Sequence, residues 1–274
     1  MKYFNDRGRR ITDEGMRVFG KIPSQYYRLD QPLIDYQLIL QRIVKQNGAQ
    51  INLTVQEFKL RAETLLAKLQ SSSAFGNLAN GVYVPFVFKR HEPGADLGAE
   101  LVDHLLPSLQ KSFNERYPDA HFKAVLQSNS ALPGNISLAP ESRYQSFIEE
   151  TERRPVVGLY FPQALQEFDV DSQRSQMASL PILPDAGICL AGGMDICAAM
   201  VGSPDLLVSD KFYTPILTMS AYVHADSRLV LLLKAYGPHM EFWCMTQMLT
   251  KEIKQVSEQW AGGLTIYDYS SNIA

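Results

Sequence analysis

The sequence predicts a mixed α/β or α+β fold, in which helices cover a mixed sheet. Three observations lead to this prediction. The first eighty residues have helical periodicity, short apolar runs then alternate with helical patterns, and the last third contains strand-like runs that suggest an antiparallel hairpin before a long helix. With 274 residues, of which 46% are hydrophobic and 20% charged, the chain has the composition of an ordinary globular protein.

Residues 1–80 are predicted to form an N-terminal helical extension. Apolar residues recur at helical spacing in "LIDYQLILQRIVKQNG", and Asp30 precedes this segment as a candidate cap. The next segment, "TVQEFKLRAETLLAKLQ", places Thr54 and Glu57 at the spacing of a capping box. Together they predict a helical hairpin. Small residues at 71–81 predict a linker, so we expect a mixed α/β domain over 81–274.

Four apolar runs after this linker predict strands. They are "VYVPFVF" (82–88), "HFKAVLQ" (121–127), "PVVGLYF" (155–161) and "GICLA" (187–191). Pro85 indicates an edge position or a bulge for the first strand, because proline cannot donate a ladder hydrogen bond. Pro107 lies inside a helical pattern and predicts a kink or two short helices.

The C-terminal third predicts a hairpin, a long helix and a last strand. Residues 213–237 suggest two long strands joined at 225–227, and "GGLTIYDY" suggests the last strand. A helix over about 239–260 would place Phe242, Met245 and Leu249 on one face. The other sides would carry Met240, Trp243, Cys244 and Met248. Such a helix must be covered twice, by the N-terminal hairpin or by a partner protein that binds these four residues.

The stretch "GICLAGGMDICAAMVG" (187–202) predicts a strand, a glycine turn and a helix. A helix N-terminus after a glycine turn can bind phosphate, but neither the G-x-G-x-x-G nor the G-x-x-x-x-G-K-[ST] spacing is present. Asp195 in the first helical turn would stabilise the helix end and repel a phosphate. We expect a structural turn, with a ligand-binding loop formed by Gly192, Gly193 and Asp195 as the alternative.

Two further positions suggest chemistry. Asp169 and Asp171 in "FDVDSQ" have a spacing that could hold a metal ion, although a surface loop that begins a helix is the simpler interpretation. Cys197 lies near a helix start, where the pKa of a thiol can fall, although its apolar neighbours favour a packed core cysteine.

Composition excludes several classes of function. A formal net charge of −3 and a pI near 6.0 argue against nucleic-acid binding. No apolar run approaches the roughly 18 residues that a membrane span needs. The three cysteines lack a disulfide spacing, which predicts buried thiols in the cytoplasm. The basic cluster Arg7, Arg9 and Arg10 is expected to belong to a solvated N-terminus, and no motif predicts a cofactor.

The most favoured function from sequence is a non-catalytic protein-interaction or adaptor subunit that binds another protein or itself. The alternatives are an enzyme acting on a small molecule, possibly a metal-dependent hydrolase or transferase, and a ligand sensor. Either would use a small-molecule pocket near the Gly192–Gly193 turn. The adaptor hypothesis predicts an exposed apolar patch around Met240 and Trp243. The enzyme hypothesis predicts that Asp169, Asp171 and Asp195 converge in one cleft beside a histidine.

Overall fold

The computed structural model describes residues 2–11, 26–47, 51–90, 92–126, 130–246 and 259–269. The helices are α1 (Tyr36–Asn47), α2 (Val55–Ser71), α3 (Leu97–Glu100), α4 (Leu106–Arg116), α5 (Tyr144–Arg153), α6 (Val170–Ser179) and α7 (Gly193–Gly202). The strands are β1 (Val84–Phe88), β2 (Phe122–Leu126), β3 (Ile136–Leu138), β4 (Val156–Gln166), β5 (Gly187–Leu190), β6 (Ile216–Thr218), β7 (Tyr222–His224), β8 (Leu229–Tyr236), β9 (His239–Thr246) and β10 (Trp260–Tyr267).

Eight of these strands form one mixed sheet. Seven lie in the order β1-β4-β10-β6-β8-β9-β2, and β5 also pairs with β10. Strand β10 is antiparallel to β4 along one edge, and its other edge is shared by antiparallel β5 and parallel β6. The remaining strands, β3 and β7, form a separate antiparallel pair.

Helices pack against this sheet, which confirms the predicted mixed fold. Helix α2 packs on β4, α7 on β1, α5 and α6 on β5, and α4 on β2. One large hydrophobic core contains side chains from both sides of residue 80, among them Phe4, Phe58 and Phe86. The domain boundary at residue 80 stays a prediction, but the described residues on its two sides share this core.

The predicted helical hairpin is confirmed. The Thr54 hydroxyl accepts the Glu57 backbone N–H, and the Glu57 carboxylate accepts the Thr54 N–H, so the capping box of α2 is complete. Helix α1 begins later than the Asp30 position suggested. The Asp35 carboxylate accepts the Leu38 N–H at 3.0 Å and caps α1. The chain before Asp35 is held beside Tyr83, because the Gln31 side chain donates to the Tyr83 carbonyl and accepts its N–H.

All four strands predicted after the linker are present. Strand β1 lies at one end of the sheet, which confirms the edge position that Pro85 indicates. Helices α3 and α4 are joined by a single π-helical turn at Leu101–Leu105, and Pro107 lies in the first turn of α4. Because a π turn widens the hydrogen-bond ladder, it accommodates the proline within one continuous helical segment.

The C-terminal antiparallel hairpin is present, but it is formed by β8 and β9. Tyr236 pairs with His239 and Leu229 with Thr246, and the chain reverses at Gly237, whose φ is +59°. The first run of the predicted hairpin is divided instead. Its residues form β6, which pairs with β8, and β7, which pairs with β3 outside the main sheet.

The prediction of a helix from residue 239 is wrong over 239–246, where the chain forms strand β9. Met240, Phe242 and Cys244 are fully buried on one face, while Glu241 and Trp243 are partly exposed on the other. A strand with apolar residues on both faces has the same sequence pattern as a helix that is apolar on all sides. The periodicity therefore does not distinguish the two. Residues 247–258 of the predicted helix, with Met248, lie outside the described residues.

The expectation of a solvated basic N-terminus is wrong for two of its three arginines. Arg9 and Arg10 are buried, and only Arg7 is exposed. The Tyr3 N–H donates to the Ala74 carbonyl at 3.1 Å, and the Arg10 N–H donates to the Ala164 carbonyl at 2.8 Å. These bonds hold the N-terminal turn against the end of α2 and against β4.

Candidate functional site

The glycine turn of "GICLAGGMDICAAMVG" lies in the interior of the molecule. Strand β5 pairs with β10 in the centre of the sheet, Gly192 follows it, and every residue of α7 is buried. The Ala191 N–H donates to Gly263 at 3.0 Å, and the Ala191 carbonyl accepts the Ala221 N–H at 3.0 Å. The predicted order of strand, turn and buried helix is confirmed.

Asp195 is the centre of a buried hydrogen-bond network. Its Oδ1 accepts the Gly192 backbone N–H at 2.8 Å and the Tyr144 hydroxyl at 2.7 Å, and its Oδ2 accepts the Thr265 hydroxyl. The residue has no exposed surface. Burial raises the pKa of Asp195 from 3.8 to about 6, although its hydrogen bonds favour the charged form. The carboxylate therefore ties α7 to α5 and β10.

The two glycines of the turn pack directly against aromatic rings. A Cβ on Gly192 would lie 2.7 Å from the Tyr144 ring, and a Cβ on Gly193 would lie 2.8 Å from the Tyr222 ring. The Gly192 N–H already donates to Asp195. The geometry supports the structural turn, while a ligand-binding role for Gly192, Gly193 and Asp195 stays a prediction.

The cysteines near this turn are buried thiols. Cys189 and Cys197 have almost no exposed surface, and burial, with the nearby Asp195 carboxyl, raises the pKa of both thiols. A thiol that stays protonated is a poor nucleophile. The packed core position predicted for Cys197 is confirmed.

The two aspartates of "FDVDSQ" point to different surroundings. Asp169 is buried and caps α6, because its carboxylate accepts the Ser172 N–H at 2.7 Å. Asp171 is exposed and pairs with Arg174 at 3.3 Å. The predicted helix start is confirmed, whereas the predicted surface loop is wrong for Asp169, which is buried. Within the part of the chain that the structure describes, no three histidine, cysteine or acidic side chains are grouped as metal ligands, and a metal role for Asp169 and Asp171 stays a prediction.

The residues predicted to bind a partner divide between the core and the surface. Met240 and Cys244 belong to the main core, whereas Trp243 is partly exposed on the opposite face of β9. The Trp243 Nε1 donates to Glu241 at 2.7 Å, and the Lys234 Nζ lies 4.2 Å from the centre of the indole ring. Among the three described members of the set, Trp243 is therefore the one with exposed side-chain surface.

Strand β2, next to β9, ends the sheet with a free backbone edge. The Met240 N–H donates to the His121 carbonyl at 3.1 Å, and β2 and β9 are parallel with Phe122 opposite Met240. This register directs the backbone groups of Lys123 and Val125 towards β9 and those of Phe122, Ala124 and Leu126 away from it. Among the described residues, no strand pairs with this outer side.

An apolar groove runs beside the same edge. It has a volume of about 140 Å³. Its walls are formed by the π turn and α4 on one side and by β2 and the following loop on the other: Val102, Leu106, Pro107, Gln110, Phe122, Ala124, Leu126 and Leu132. Leu126 is 45% exposed. The free edge and the groove together form the candidate site, which we call the β2 edge site.

No family model, no curated protein and no solved structure matches the chain. Evidence for its function therefore comes from the geometry. None of the described helices is both long enough and apolar enough to cross a bilayer.

The sequence predicted strand β2 but not its role. The available signal was Lys123 inside a short apolar strand, since a charged side chain there is typical of an edge. The groove depends on how α4 packs against β2, and the sequence holds no local pattern for that contact.

Proposed function

We propose that this protein is a non-catalytic interaction module that binds an extended segment of a partner protein at the β2 edge site. The segment adds as a strand alongside β2 and places alternate apolar side chains in the groove. The observation that carries this proposal is that three residues of β2, Phe122, Ala124 and Leu126, both line the apolar groove and direct outwards backbone groups that no described strand pairs with.

The backbone supplies binding that does not depend on the partner's sequence. The outward N–H and C=O groups of Phe122, Ala124 and Leu126 are the hydrogen-bonding pattern that an added strand completes. The main-chain bonds to β9 come from His121, Lys123 and Val125, so a partner strand need not displace them. The partner thus extends the existing sheet.

The groove supplies preference for certain partners. Successive side chains of a strand point to opposite faces, so every second side chain of the bound segment enters the groove. Its lining is almost entirely apolar, with Gln110 as the polar exception. We therefore expect segments with aliphatic side chains at alternate positions.

The opposite end of the sheet has none of these properties. All five residues of β1 are buried, and Pro85 lacks the backbone N–H that an added strand would need. In β2, by contrast, Lys123, Ala124 and Leu126 are exposed. The two ends differ in the way expected if only β2 accepts a strand.

Selection of peptides from a random library on the intact protein tests this function. We expect the selected peptides to share alternating apolar residues over about five positions, which is the length of β2. Amide hydrogen exchange then locates the contact. In the free protein Phe122, Ala124 and Leu126 should exchange faster than Lys123 and Val125, and the peptide should slow exchange at the first three.

A matched pair of variants distinguishes binding at this site from non-specific binding to exposed apolar side chains. Leu126→Glu places a charge at the groove and should reduce peptide affinity at least about tenfold. Leu60→Glu, at a leucine that is 66% exposed on α2, should leave affinity unchanged. Peptides that protect other amides, or that bind Leu126→Glu as well as they bind the original protein, would contradict the proposal. Sedimentation shows whether a second copy of this chain occupies the site.

A further inference from the structure

An open cavity with three arginines lies on another part of the molecule. Its volume is about 510 Å³. The N-terminal turn, the chain before α1, the turn after residue 80 and strand β4 form its walls, with Arg7, Arg9, Arg28, Asp6, Gly81 and Gln163 among the lining residues. This volume is typical of pockets that hold small molecules.

The N-terminal turn that carries two of these arginines has a fixed conformation. The Asn5 Oδ1 accepts the backbone N–H groups of Arg7 at 2.9 Å and Arg9 at 3.1 Å. Gly8 has a φ of +74°, and a Cβ there would lie 2.5 Å from the Gly81 nitrogen. Only glycine permits this close approach of the two backbones. The backbone positions of Arg7 and Arg9 are therefore fixed relative to Gly81.

Arg9 is buried in the cavity wall. Its guanidinium pairs with Glu167 at 3.3 Å, and both side chains are about nine-tenths buried. Burial lowers the pKa of Arg9, Glu167 opposes this effect, and the positive charge of Arg7 adds to it. Glu167 thus supplies the counter-charge for Arg9 in this buried position.

The other two arginines, Arg7 and Arg28, are exposed at the cavity wall. Within the described ranges, neither Arg7 nor Arg28 forms a salt bridge, although Arg28 lies 4.7 Å from the centre of the Phe212 ring. Asp6 is the one acidic residue in the cavity lining, and it accepts a hydrogen bond from Asn77 at 3.3 Å. Glu167 balances the charge of Arg9, so Arg7 and Arg28 face the single carboxylate of Asp6. The wall therefore keeps one excess positive charge, in a chain whose formal net charge is −3.

We infer that this cavity binds a small molecule carrying an oxyanion group, either phosphate or carboxylate. Guanidinium groups bind both through paired hydrogen bonds, and Arg7 and Arg28 present exposed guanidinium groups in this cavity. Arg28, fixed against Phe212, contacts the same anion or a second charged group of the ligand. The site is separate from the β2 edge, so this inference does not depend on the proposed function.

Calorimetric titration of the full chain with pyrophosphate and with citrate tests the inference. Both titrations are compared with sodium chloride at equal ionic strength, because exposed charges are screened by any salt. Saturable binding of either probe beyond the chloride control is expected, and the ratio of the two affinities identifies the preferred group. Absence of binding by both probes at millimolar concentration would overturn the inference.

Variants of the exposed arginines locate the binding. Arg7→Gln and Arg28→Gln should each weaken the better probe by about tenfold or more, since each removes a charge-assisted hydrogen bond. Arg228→Gln is the matched control, because Arg228 pairs with Asp226 outside the cavity, and it should have no effect. Equal affinities of Arg7→Gln, Arg28→Gln and Arg228→Gln for the better probe would overturn the placement of the anion in this cavity.

Asp6→Asn should change the affinity for the anion in the opposite direction. Removal of the negative charge from the wall should strengthen binding several-fold, whereas a merely structural role for Asp6 would not increase affinity. Weaker binding by a variant with an unchanged melting temperature would contradict the charge argument. Arg9 is unsuitable for this purpose, because its loss would leave Glu167 buried without its cation.

Discussion

Asp195 has a larger structural role than its position in a first helical turn suggests. A carboxylate at an exposed helix end contributes about 0.3 to 1 kcal/mol. Here it accepts hydrogen bonds from Gly192, Tyr144 and Thr265 and has no exposed surface. Its removal would leave several buried donors without an acceptor, and each such donor costs about 1 to 3 kcal/mol.

Asp195→Ala should therefore destabilise the protein by about 3 kcal/mol or more, measured by chemical denaturation at neutral pH. Asp195→Asn is the matched control. Its amide oxygen can accept from Gly192 and Tyr144, and its amide nitrogen can donate to the Thr265 hydroxyl, which reverses one bond. A loss below about 1 kcal/mol for the alanine variant would show that the network contributes little.

The raised pKa of Asp195 predicts a pH-dependent stability. Below about pH 4 the carboxyl is protonated in both states; between pH 4 and its folded pKa of about 6 only the unfolded chain loses the proton. The stability contribution of Asp195 is therefore present at low pH and is lost as the pH rises through 6. A shift of about two units corresponds to about 3 kcal/mol.

This pH effect is measured as the difference in unfolding free energy between the original protein and Asp195→Asn. The difference should change by about 2 kcal/mol from pH 4 to pH 7, with the original protein losing stability relative to the variant. Other titrating groups are common to both proteins and cancel. A difference that is independent of pH would mean that Asp195 has an ordinary pKa.

At the scale of elements, strands β2 and β9 and helix α2 illustrate what local pattern can predict. The capping box of α2 was visible in sequence because its two residues are three positions apart. Strand β9 was mistaken for a helix, because apolar residues on both faces satisfy either period. The free edge of β2 follows from pairing with β9, which is more than one hundred residues away in the chain.

Thr54→Ala should destabilise the protein by about 1 kcal/mol, since it removes the hydroxyl that caps α2. Thr64→Ala, in the exposed middle of the same helix, should be neutral or slightly stabilising, because alanine has the higher helix propensity. Thermal unfolding followed by circular dichroism compares the two. Equal effects would mean that the cap has no special contribution.

At the scale of the whole molecule, the N-terminal helices and the sheet share one core. Ile43 of α1 is fully buried, and its side chain is close to Gly202 at the end of α7, which packs on β1. Residues from the predicted extension, 1–80, therefore contribute to the stability of the predicted domain, 81–274. This arrangement makes unfolding of the two parts interdependent.

Ile43→Ala should destabilise the protein by about 3 kcal/mol. The fluorescence of Trp243 and Trp260, both in the sheet, should report the same lowered midpoint as circular dichroism, because the damage in α1 weakens the shared core. Leu38→Ala, at a residue of α1 that is 40% exposed, is the control and should have a smaller effect. An unchanged tryptophan transition would indicate an independent N-terminal unit.

Elements whose signals are local can be predicted from the sequence alone. These are the helical hairpin, the capping box at Thr54 and the strand, turn and helix around Gly192, whereas Pro85 left an edge position and a bulge open until the sheet order was known. Periodicity and capping act over a few residues, so one segment contains the whole signal.

Which residues share a surface depends on the tertiary structure. It buried Asp195 beneath Tyr144 and Thr265, made β9 a strand between β8 and β2, and gathered Arg7, Arg9 and Arg28 around one cavity. Each of these arrangements depends on contacts between segments far apart in the chain. Their free energies come from pairing and burial, which no single segment encodes.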